Sequence, residues 1–243
     1  MTLRHGGLVA VDDVDLATEP GRITAVVGPN GAGKTTLFDC LSGVQRPDAG
    51  RVVLDGLDVT AAPADERSRL GLLRTFQRSS VFASLTVREN LLVGAENRRS
   101  RGNLRGFLGL SDRGGAGHRR RAEQALSALA LEAVGDVTAA TLSTGSLRLV
   151  ELARALAADP VVLLLDEPAS GLDDHEVDEL RHLLVRLAGE GLTLLLVEHD
   201  MDLVSQVADT VYVMAAGRIL AAGPPEEVLA RPDVRLSLLG PRE

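Results

Sequence analysis

Several features common in other proteins are scarce or missing in this 243-residue chain, and each absence narrows its class. No apolar run approaches the roughly 18 residues of a membrane-spanning helix. The start, MTLRHGGLVAVDD, lacks the long apolar core of a signal peptide, so we expect the chain to stay in the cytosol. The single cysteine, Cys40, cannot form an internal disulfide and lies in a helical-looking segment, which favours a buried structural thiol over a nucleophile.

Basic residues are also outnumbered by acidic ones, 26 to 34. The formal net charge of -8 argues against a general nucleic-acid binder. Eight arginines nevertheless lie between Ala95 and Arg121. Such a run is usually a solvated face, and the alternative is a surface near anionic lipid headgroups or an acidic partner.

A hydrophobic content of 45% at this length allows one large α/β domain or one domain with an inserted lobe.

The scarcest basic residue is lysine, because Lys34 is the only one among 26 Lys and Arg residues. Lysine is a compact point charge and guanidinium a wide planar fork, so a site that keeps lysine is expected to lack room for the fork. In VVGPNGAGKTTL, Lys34 completes the Walker A pattern G-x-x-x-x-G-K-[ST] with Gly28, Gly33 and Thr35. A strand candidate, RITAVVG, precedes the pattern, and a helix candidate ended by Gly43 follows, which is the context that the motif requires.

This pattern predicts a phosphate-binding loop. Its glycines let backbone N–H groups point at phosphate oxygens, and the following helix N-terminus adds a favourable dipole. We expect Lys34 to neutralise the β and γ phosphates of ATP and the Thr35 hydroxyl to bind Mg²⁺. The predicted nucleotide-binding residues of the loop are Gly28, Pro29, Asn30, Gly31, Ala32, Gly33, Lys34, Thr35 and Thr36.

A second motif, VVLLLDEPASGLDD, runs aliphatic residues into two adjacent carboxylates. An apolar run of this kind is typical of a buried parallel strand, and ligands in open α/β sheets gather at the carboxyl ends of strands. By itself the stretch also fits a strand edge with two solvated acids. Behind a phosphate-binding loop, we expect Asp166 to hold Mg²⁺ and Glu167 to orient or deprotonate the attacking water.

The remaining motifs identify a family. TLSTGSLRLVELARALAADP resembles the signature motif of ATP-binding cassette (ABC) ATPases, with LSTGS in place of L-S-G-G-Q. Gln77 in LRTFQRSSVF resembles the Q-loop, Asp173 in SGLD the D-loop, and His199 in LLLVEHDM the switch histidine. A lone glutamine in a loop or a lone histidine after a strand is more often a solvated or capping group. The order of these motifs behind the phosphate loop nevertheless favours the ABC family. The guanine-specific N-K-x-D of GTPases is missing, since the chain has no second lysine.

The resemblance covers almost the whole chain and implies its fold. It implies an α/β P-loop NTPase (RecA-like) core with a parallel-rich sheet, an N-terminal antiparallel β portion and an inserted α-helical subdomain. The implied single ABC ATPase domain spans residues 1–243, with a nucleotide-binding core at 1–74 and 143–243 and the inserted subdomain at 75–142.

The resemblance also implies roles for single residues in a site shared by two subunits. The implied catalytic residues are Glu167, His199 and Gln77, and the implied Mg²⁺ ligands are Thr35, Gln77 and Asp166. The implied ATP contacts outside the loop are His5 at the adenine, Asp173, and Ser143 and Gly145 of the opposite subunit.

Short segments such as GGLVAVDDV, LRTFQ and VEHDMDLV are similar to the ATPase subunit of branched-chain amino acid importers. This similarity implies an ATP-hydrolysing subunit that dimerises with itself or with a second ABC ATPase subunit. It implies attachment to integral-membrane permease subunits on the cytoplasmic side of the membrane, without contact to the transported substrate or to nucleic acid. One alternative is a catalytically weak regulatory subunit. Another is a soluble ATPase of DNA repair or translation, whose relatives usually carry a long coiled-coil insertion or a second cassette, and this sequence contains neither.

Three departures from the family pattern have expected consequences. His5 stands where an aromatic residue usually stacks on adenine, and imidazole stacks more weakly than tyrosine. Thr144 and Ser146 replace glycine and glutamine of the signature motif, which predicts slower hydrolysis or dependence on a partner with an intact motif. The chain begins close to His5, so we expect a short first strand or a natural start upstream.

Overall fold

Residues 1–75, 81–96 and 116–239 are described by the computed structural model, and the chain divides into two units. Met1–Ala64 and Val162–Glu243 form the first unit, and Asp65–Val161 form the second. The predicted boundaries of an inserted lobe at residues 75 and 142 stay a prediction. Gln77 and the arginines between residues 98 and 113 lie outside the described residues.

The described strands are short and most contain five or fewer residues. In chain order they are β1 (Leu3–His5), β2 (Leu8–Val11), β3 (Ile23–Val27), β4 (Val53–Leu54), β5 (Leu57–Asp58), β6 (Leu72–Arg74), β7 (Val162–Asp166), β8 (Thr193–Val197), β9 (Thr210–Ala215) and β10 (Arg218–Gly223).

The described helices vary more in length. In chain order they are α1 (Lys34–Ser42), α2 (Ala64–Arg69), α3 (Val87–Glu96), α4 (Ala116–Ala128), α5 (Thr144–Ala157), α6 (Asp174–Gly189), α7 (Met201–Val207), α8 (Pro225–Ala230) and α9 (Pro232–Leu239). No helix of the described ranges combines the length and the apolar content needed to cross a bilayer.

Five strands of the first unit lie side by side in a mixed sheet, in the order β10-β9-β3-β8-β7. β3 is parallel to β8 and β9, β8 is parallel to β7, and only β10 is antiparallel to its neighbour. Every residue of β3 and β8 is buried, as expected for central strands of a parallel sheet. Two antiparallel hairpins, β1-β2 and β4-β5, lie in the N-terminal part of this unit. The predicted parallel-rich sheet with an N-terminal antiparallel portion is therefore confirmed.

Register aligns the carboxyl ends of three strands at one edge of the sheet. Val197 of β8 pairs with Val26 of β3 on one side and with Asp166 of β7 on the other. The segments that follow β3, β7 and β8 therefore leave the sheet at the same level. α1 follows the turn after β3 and ends at Gly43, whose φ of 82° is the left-handed conformation that a glycine after a helix readily adopts.

The second unit contains the helices α3, α4 and α5, which pack against one another. α3 and α5 approach closely at Gly94, where a Cβ would lie 2.1 Å from the Arg154 carbonyl oxygen. Only glycine permits this approach. Of the arginine-rich stretch, Arg119, Arg120 and Arg121 are described, and Arg121 Nη2 donates a hydrogen bond to the Ala95 carbonyl at 2.8 Å.

The buried middle of β8 should carry much of the stability of the first unit. Leu195 is 2% exposed, and Leu195→Ala is expected to lower the free energy of unfolding by about 2–5 kcal/mol through lost burial and a cavity. Leu236 is 62% exposed, so Leu236→Ala should change it by less than about 0.5 kcal/mol. Urea denaturation of both variants measures the difference, and equal midpoints would contradict this placement of the core.

Candidate functional site

The loop between β3 and α1 is shaped by close contact with two neighbouring strands. A Cβ at Gly28 would lie 2.2 Å from the Met214 carbonyl oxygen of β9, and a Cβ at Gly33 would lie 2.2 Å from the Ala10 carbonyl oxygen of β2. Both glycines have positive φ, 155° at Gly28 and 99° at Gly33. Larger residues would displace the loop, so these two glycines hold its backbone in a fixed curve against the sheet.

Lys34 is the first residue of α1, and its ammonium group closes the loop from inside. The side chain is buried, and Nζ donates to the carbonyl oxygens of Gly28 at 2.6 Å and Pro29 at 3.0 Å. Burial lowers the pKa of Lys34, while the charges of Glu167 and Asp166 act in the opposite direction. The structure therefore brings the lone lysine, which follows β3, within electrostatic reach of the two predicted carboxylates at the end of β7.

Asp166 and Glu167 are adjacent in sequence and lie in different environments. Asp166 ends β7 and is 2% exposed, whereas the Glu167 side chain is 24% exposed. Glu167 leaves the sheet with a φ of 51°, and its N–H donates to the Val197 carbonyl at 2.9 Å. A left-handed conformation at a glutamate costs about 1–3 kcal/mol and persists only where the surroundings enforce it.

The Glu167 carboxylate meets the imidazole of His199, which follows the neighbouring strand β8. The distance from Glu167 Oε1 to His199 Nε2 is 2.9 Å. With a hydrogen on Nε2, the imidazole donates to the carboxylate and fixes its orientation. The predicted base and the predicted switch histidine are thus in direct contact, and the His199 side chain stays 44% exposed beside them.

The side chains proposed for Mg²⁺ offer oxygen atoms of the right chemistry. Thr35 is exposed in the first turn of α1, and Asp166 contributes a carboxylate at the end of β7. In the ranges that the structure covers, no group of three or more His, Cys, Asp or Glu side chains could hold a metal ion. Mg²⁺ usually binds through one or two protein oxygens plus substrate phosphates and water, so a hydroxyl and a carboxylate beside a phosphate loop fit it.

Two further predicted residues cap helices. Asp173 Oδ1 accepts from the Glu176 N–H at 2.9 Å and Glu176 Oε2 accepts from the Asp173 N–H at 3.0 Å, which completes a capping box at the start of α6. In the second unit, Ser143 Oγ accepts from the Ser146 N–H at 3.1 Å, and the two hydroxyl oxygens lie 3.0 Å apart. Ser146, which replaces the usual glutamine, thus engages the hydroxyl of Ser143. Gly145 is buried beside them in the first turn of α5.

His5 is exposed at the turn end of β1 and pairs with Leu8 of β2. The same strand β2 supplies Ala10, which lies against Gly33, so the His5 hairpin packs on the phosphate loop. The first unit therefore brings together the loop, Lys34 and the residues at the ends of β7 and β8. Ser143 and Gly145 belong to the second unit, and the role of Gln77 lies outside the described residues.

One residue of this edge, Glu198, was not predicted from the sequence. Glu198 follows β8 directly, is only 3% exposed, and lies between Val197 and His199. A signal was present in the sequence, because LLLVEHD runs an aliphatic strand into a carboxylate in the same way as LLLDEP does.

The chain is similar to known proteins along nearly its whole length. The sequence profile of the ABC transporter family matches residues 11–170. The high-affinity branched-chain amino acid transport ATP-binding protein BraF of Pseudomonas aeruginosa is 39% identical over 244 residues, covering 99% of this chain and 95% of BraF.

Solved structures of similar chains are also ATP-binding cassettes. The ADP conformation of MJ1267, an ATP-binding cassette of an ABC transporter, has a TM-score of 0.86 at 31% identity and covers 99% of this chain and 96% of its own. A dimeric post-hydrolysis state of the cassette MJ0796, bound to ADP and Pi, has a TM-score of 0.75 at 25% identity and covers 92% of this chain and 95% of its own.

The packing of the loop predicts unequal effects for two glycines. Gly31 and Gly33 both have positive φ, 78° and 99°, but a Cβ at Gly31 would meet nothing within 4 Å. Gly31→Ala should therefore cost about 1 kcal/mol of unfolding free energy through backbone strain. Gly33→Ala should cost a further 1–3 kcal/mol or so, because its methyl group collides with the Ala10 carbonyl. Urea denaturation without nucleotide measures both, and equal losses would show that contact with β2 does not shape the loop.

Proposed function

This chain belongs to the ABC transporter family, and we propose that it is the ATP-binding and ATP-hydrolysing subunit of an importer of branched-chain amino acids or related small polar solutes. The observation that carries the proposal is the similarity to BraF, which runs over nearly the whole of both chains. Since no substrate is expected to touch this subunit, the transported solute is proposed from that similarity alone.

ATP binding is proposed to centre on the loop from Gly28 to Thr36. A glycine-rich loop of this kind would turn backbone N–H groups toward phosphate, and the N-terminus of α1, at Lys34, favours an anion there. Lys34 lies buried at the same point and supplies the positive charge for the β and γ phosphates. His5, exposed at the end of the β1-β2 hairpin, is proposed to lie against the adenine.

Hydrolysis is proposed to depend on the division of work between Asp166 and Glu167. Thr35 and Asp166 would hold Mg²⁺, which neutralises charge on the phosphates when bound. Glu167 would accept a proton from the attacking water and His199 would hold the Glu167 carboxylate in place through the 2.9 Å contact. Gln77 is proposed as a Mg²⁺ ligand and a catalytic residue, and this proposal rests only on its resemblance to the Q-loop.

A complete site is proposed to need two subunits. Ser143 and Gly145 of a partner cassette would close over the γ-phosphate, and Asp173 would lie beside them. In this chain, the Ser143 hydroxyl is already engaged by Ser146. We therefore infer that the site completed by this chain's own signature is the slower one, and that a second ABC ATPase subunit is a better partner than another copy.

The protein is proposed to work on the cytoplasmic side of the membrane, attached to integral-membrane permease subunits. Closing and reopening of the ATPase dimer would drive these subunits, which would contact the region near Gln77 and the second unit. A soluble ATPase of DNA repair or translation is not favoured, because the full-length similarity is to a transport ATP-binding protein. The Glu167–His199 pair favours active hydrolysis over a purely regulatory role.

The proposed substrate class is tested by uptake in cells. Deletion of the gene for this chain should abolish high-affinity uptake of radiolabelled leucine, isoleucine and valine. Reintroducing the parent gene should restore this uptake. Glu167→Gln should fail to restore uptake, whereas Glu226→Gln, the same change at an exposed glutamate of α8, should restore it fully. Normal uptake of all three amino acids after deletion would overturn the substrate class and leave the ATPase assignment standing.

The proposed base is tested by hydrolysis. Glu167→Gln should lower the rate of ATP hydrolysis by about 100-fold or more, because the amide preserves shape and cannot accept the proton. Its affinity for ATP should stay near that of the parent, and it should accumulate as a dimer in Mg-ATP when its partner cassette is present.

Two further substitutions distinguish the proposed base, Glu167, from the proposed metal ligand, Asp166. Asp166→Asn should weaken Mg²⁺-dependent nucleotide binding itself, and Glu226→Gln should hydrolyse ATP as the parent does. Phosphate release, nucleotide titration and size measurement with and without Mg-ATP provide the results. Parent-like hydrolysis in Glu167→Gln would remove Glu167 from the role of base.

A further inference from the structure

Glu198 is a buried carboxylate for which the mechanism above has no use. It follows the last residue of β8, and 3% of it is exposed. Its two oxygens accept hydrogen bonds from different parts of the chain. Oε1 accepts from the Ala169 N–H at 2.8 Å, and Oε2 accepts from the His199 N–H at 3.0 Å.

These two hydrogen bonds connect the turn after β7 with the turn after β8. Ala169 lies two residues beyond Glu167, and its turn carries the proposed base. His199 is the next residue after Glu198 and carries the imidazole that contacts that base. The separation between Glu167 and His199 side chains, 2.9 Å, depends on the relative position of the two turns. The last backbone bond between the two segments runs from the Glu167 N–H to the Val197 carbonyl at 2.9 Å. Both Glu198 bonds lie beyond it, at Ala169 and His199, so they position the turns where backbone pairing has ended.

The chemistry of the group suits this linking role. An ionised carboxylate only accepts hydrogen bonds and can accept on both oxygens at once. Burial raises the pKa of Glu198, and the N–H groups of Ala169, His199 and Asp200 oppose the rise by favouring the charged form. A glutamine of the same length would turn an NH₂ group toward one of these N–H donors, because it has only one acceptor oxygen.

We infer that Glu198 is a positioning residue for ATP hydrolysis: its carboxylate joins the turn of the base to the turn of the histidine and so sets the Glu167–His199 contact. This inference rests on the proposed function of Glu167. It assigns Glu198 no contact with nucleotide, water or metal. Its effect should therefore fall on the rate of hydrolysis and not on nucleotide binding.

The first test compares kcat with KM in the full chain, assayed with Mg-ATP and its partner cassette. Glu198→Gln should lower kcat by about tenfold, because a small displacement of reacting groups is costly. The KM for ATP should change by less than about twofold, since the hydrogen bonds to Glu198 come from Ala169, His199 and Asp200 and not from the phosphate loop. Glu198→Asp keeps the charge but is one carbon shorter, so it should also lose kcat, and it provides the same test if the glutamine variant does not fold.

Asp209 offers a matched control for the loss of a structural carboxylate. Its Oδ2 accepts from the Ile23 N–H at 2.8 Å, where β3 begins at the opposite end of the sheet. Asp209→Asn should lower the thermal midpoint and leave kcat per folded molecule unchanged. A purely structural Glu198 would behave in the same way.

A double mutant decides whether Glu198 acts through His199. In a His199→Ala background, adding Glu198→Gln should lower kcat by less than about twofold, because the contact that Glu198 sets is already lost. A second tenfold loss in that background, a parent-like kcat in Glu198→Gln, or a loss confined to KM would each overturn the inference. Failure of the proposed function is distinct, because it would appear as parent-like hydrolysis in Glu167→Gln.

Discussion

The placement of β8 between β3 and β7 is the constraint on which the site depends. Because Val197 pairs with Val26 on one side and Asp166 on the other, three chain segments leave the sheet at one level. The phosphate loop follows β3, the two carboxylates lie at the end of β7, and the histidine comes shortly after β8. In parallel strands the side-chain period is two, so a shift of one residue in β7 would exchange the faces of Asp166 and its neighbours. Register therefore determines which carboxylate is buried and which one turns outward.

One local cost is accepted at this edge, and the surrounding sheet sustains it. Glu167 has a left-handed backbone, which would not be favoured in an isolated peptide. Gly28 and Gly33 avoid such a cost, because they lack the Cβ that would collide with carbonyl oxygens of β9 and β2. The buried strands β3 and β8 hold this edge, and Lys34 adds two hydrogen bonds to the carbonyls of the loop. The sheet thus supplies the geometry in which Glu167 keeps its strained backbone.

The environment, more than residue type, separates the roles of the three carboxylates. Asp166 is buried at a strand end, Glu167 is turned out toward an imidazole, and Glu198 is buried and surrounded by backbone N–H donors. These surroundings suit a metal ligand, a base and a link between two turns, respectively. A single lysine faces the first two of them across the loop. The balance of charge at this edge agrees with a ligand that brings both phosphates and a divalent cation.

Local patterns in the sequence determined the phosphate loop, the strand that ends in Asp166, the helix stop at Gly43 and the family, because glycine spacing and apolar runs are properties of neighbouring residues. The signature, D-loop and Q-loop roles stay predictions from resemblance. Only the tertiary structure decided that Glu167 contacts His199, that Ala10 and Met214 press on the loop glycines, and that Glu198 links two turns. These contacts join segments far apart in sequence or depend on a backbone angle that neighbouring residues do not set, and so no local pattern predicts them.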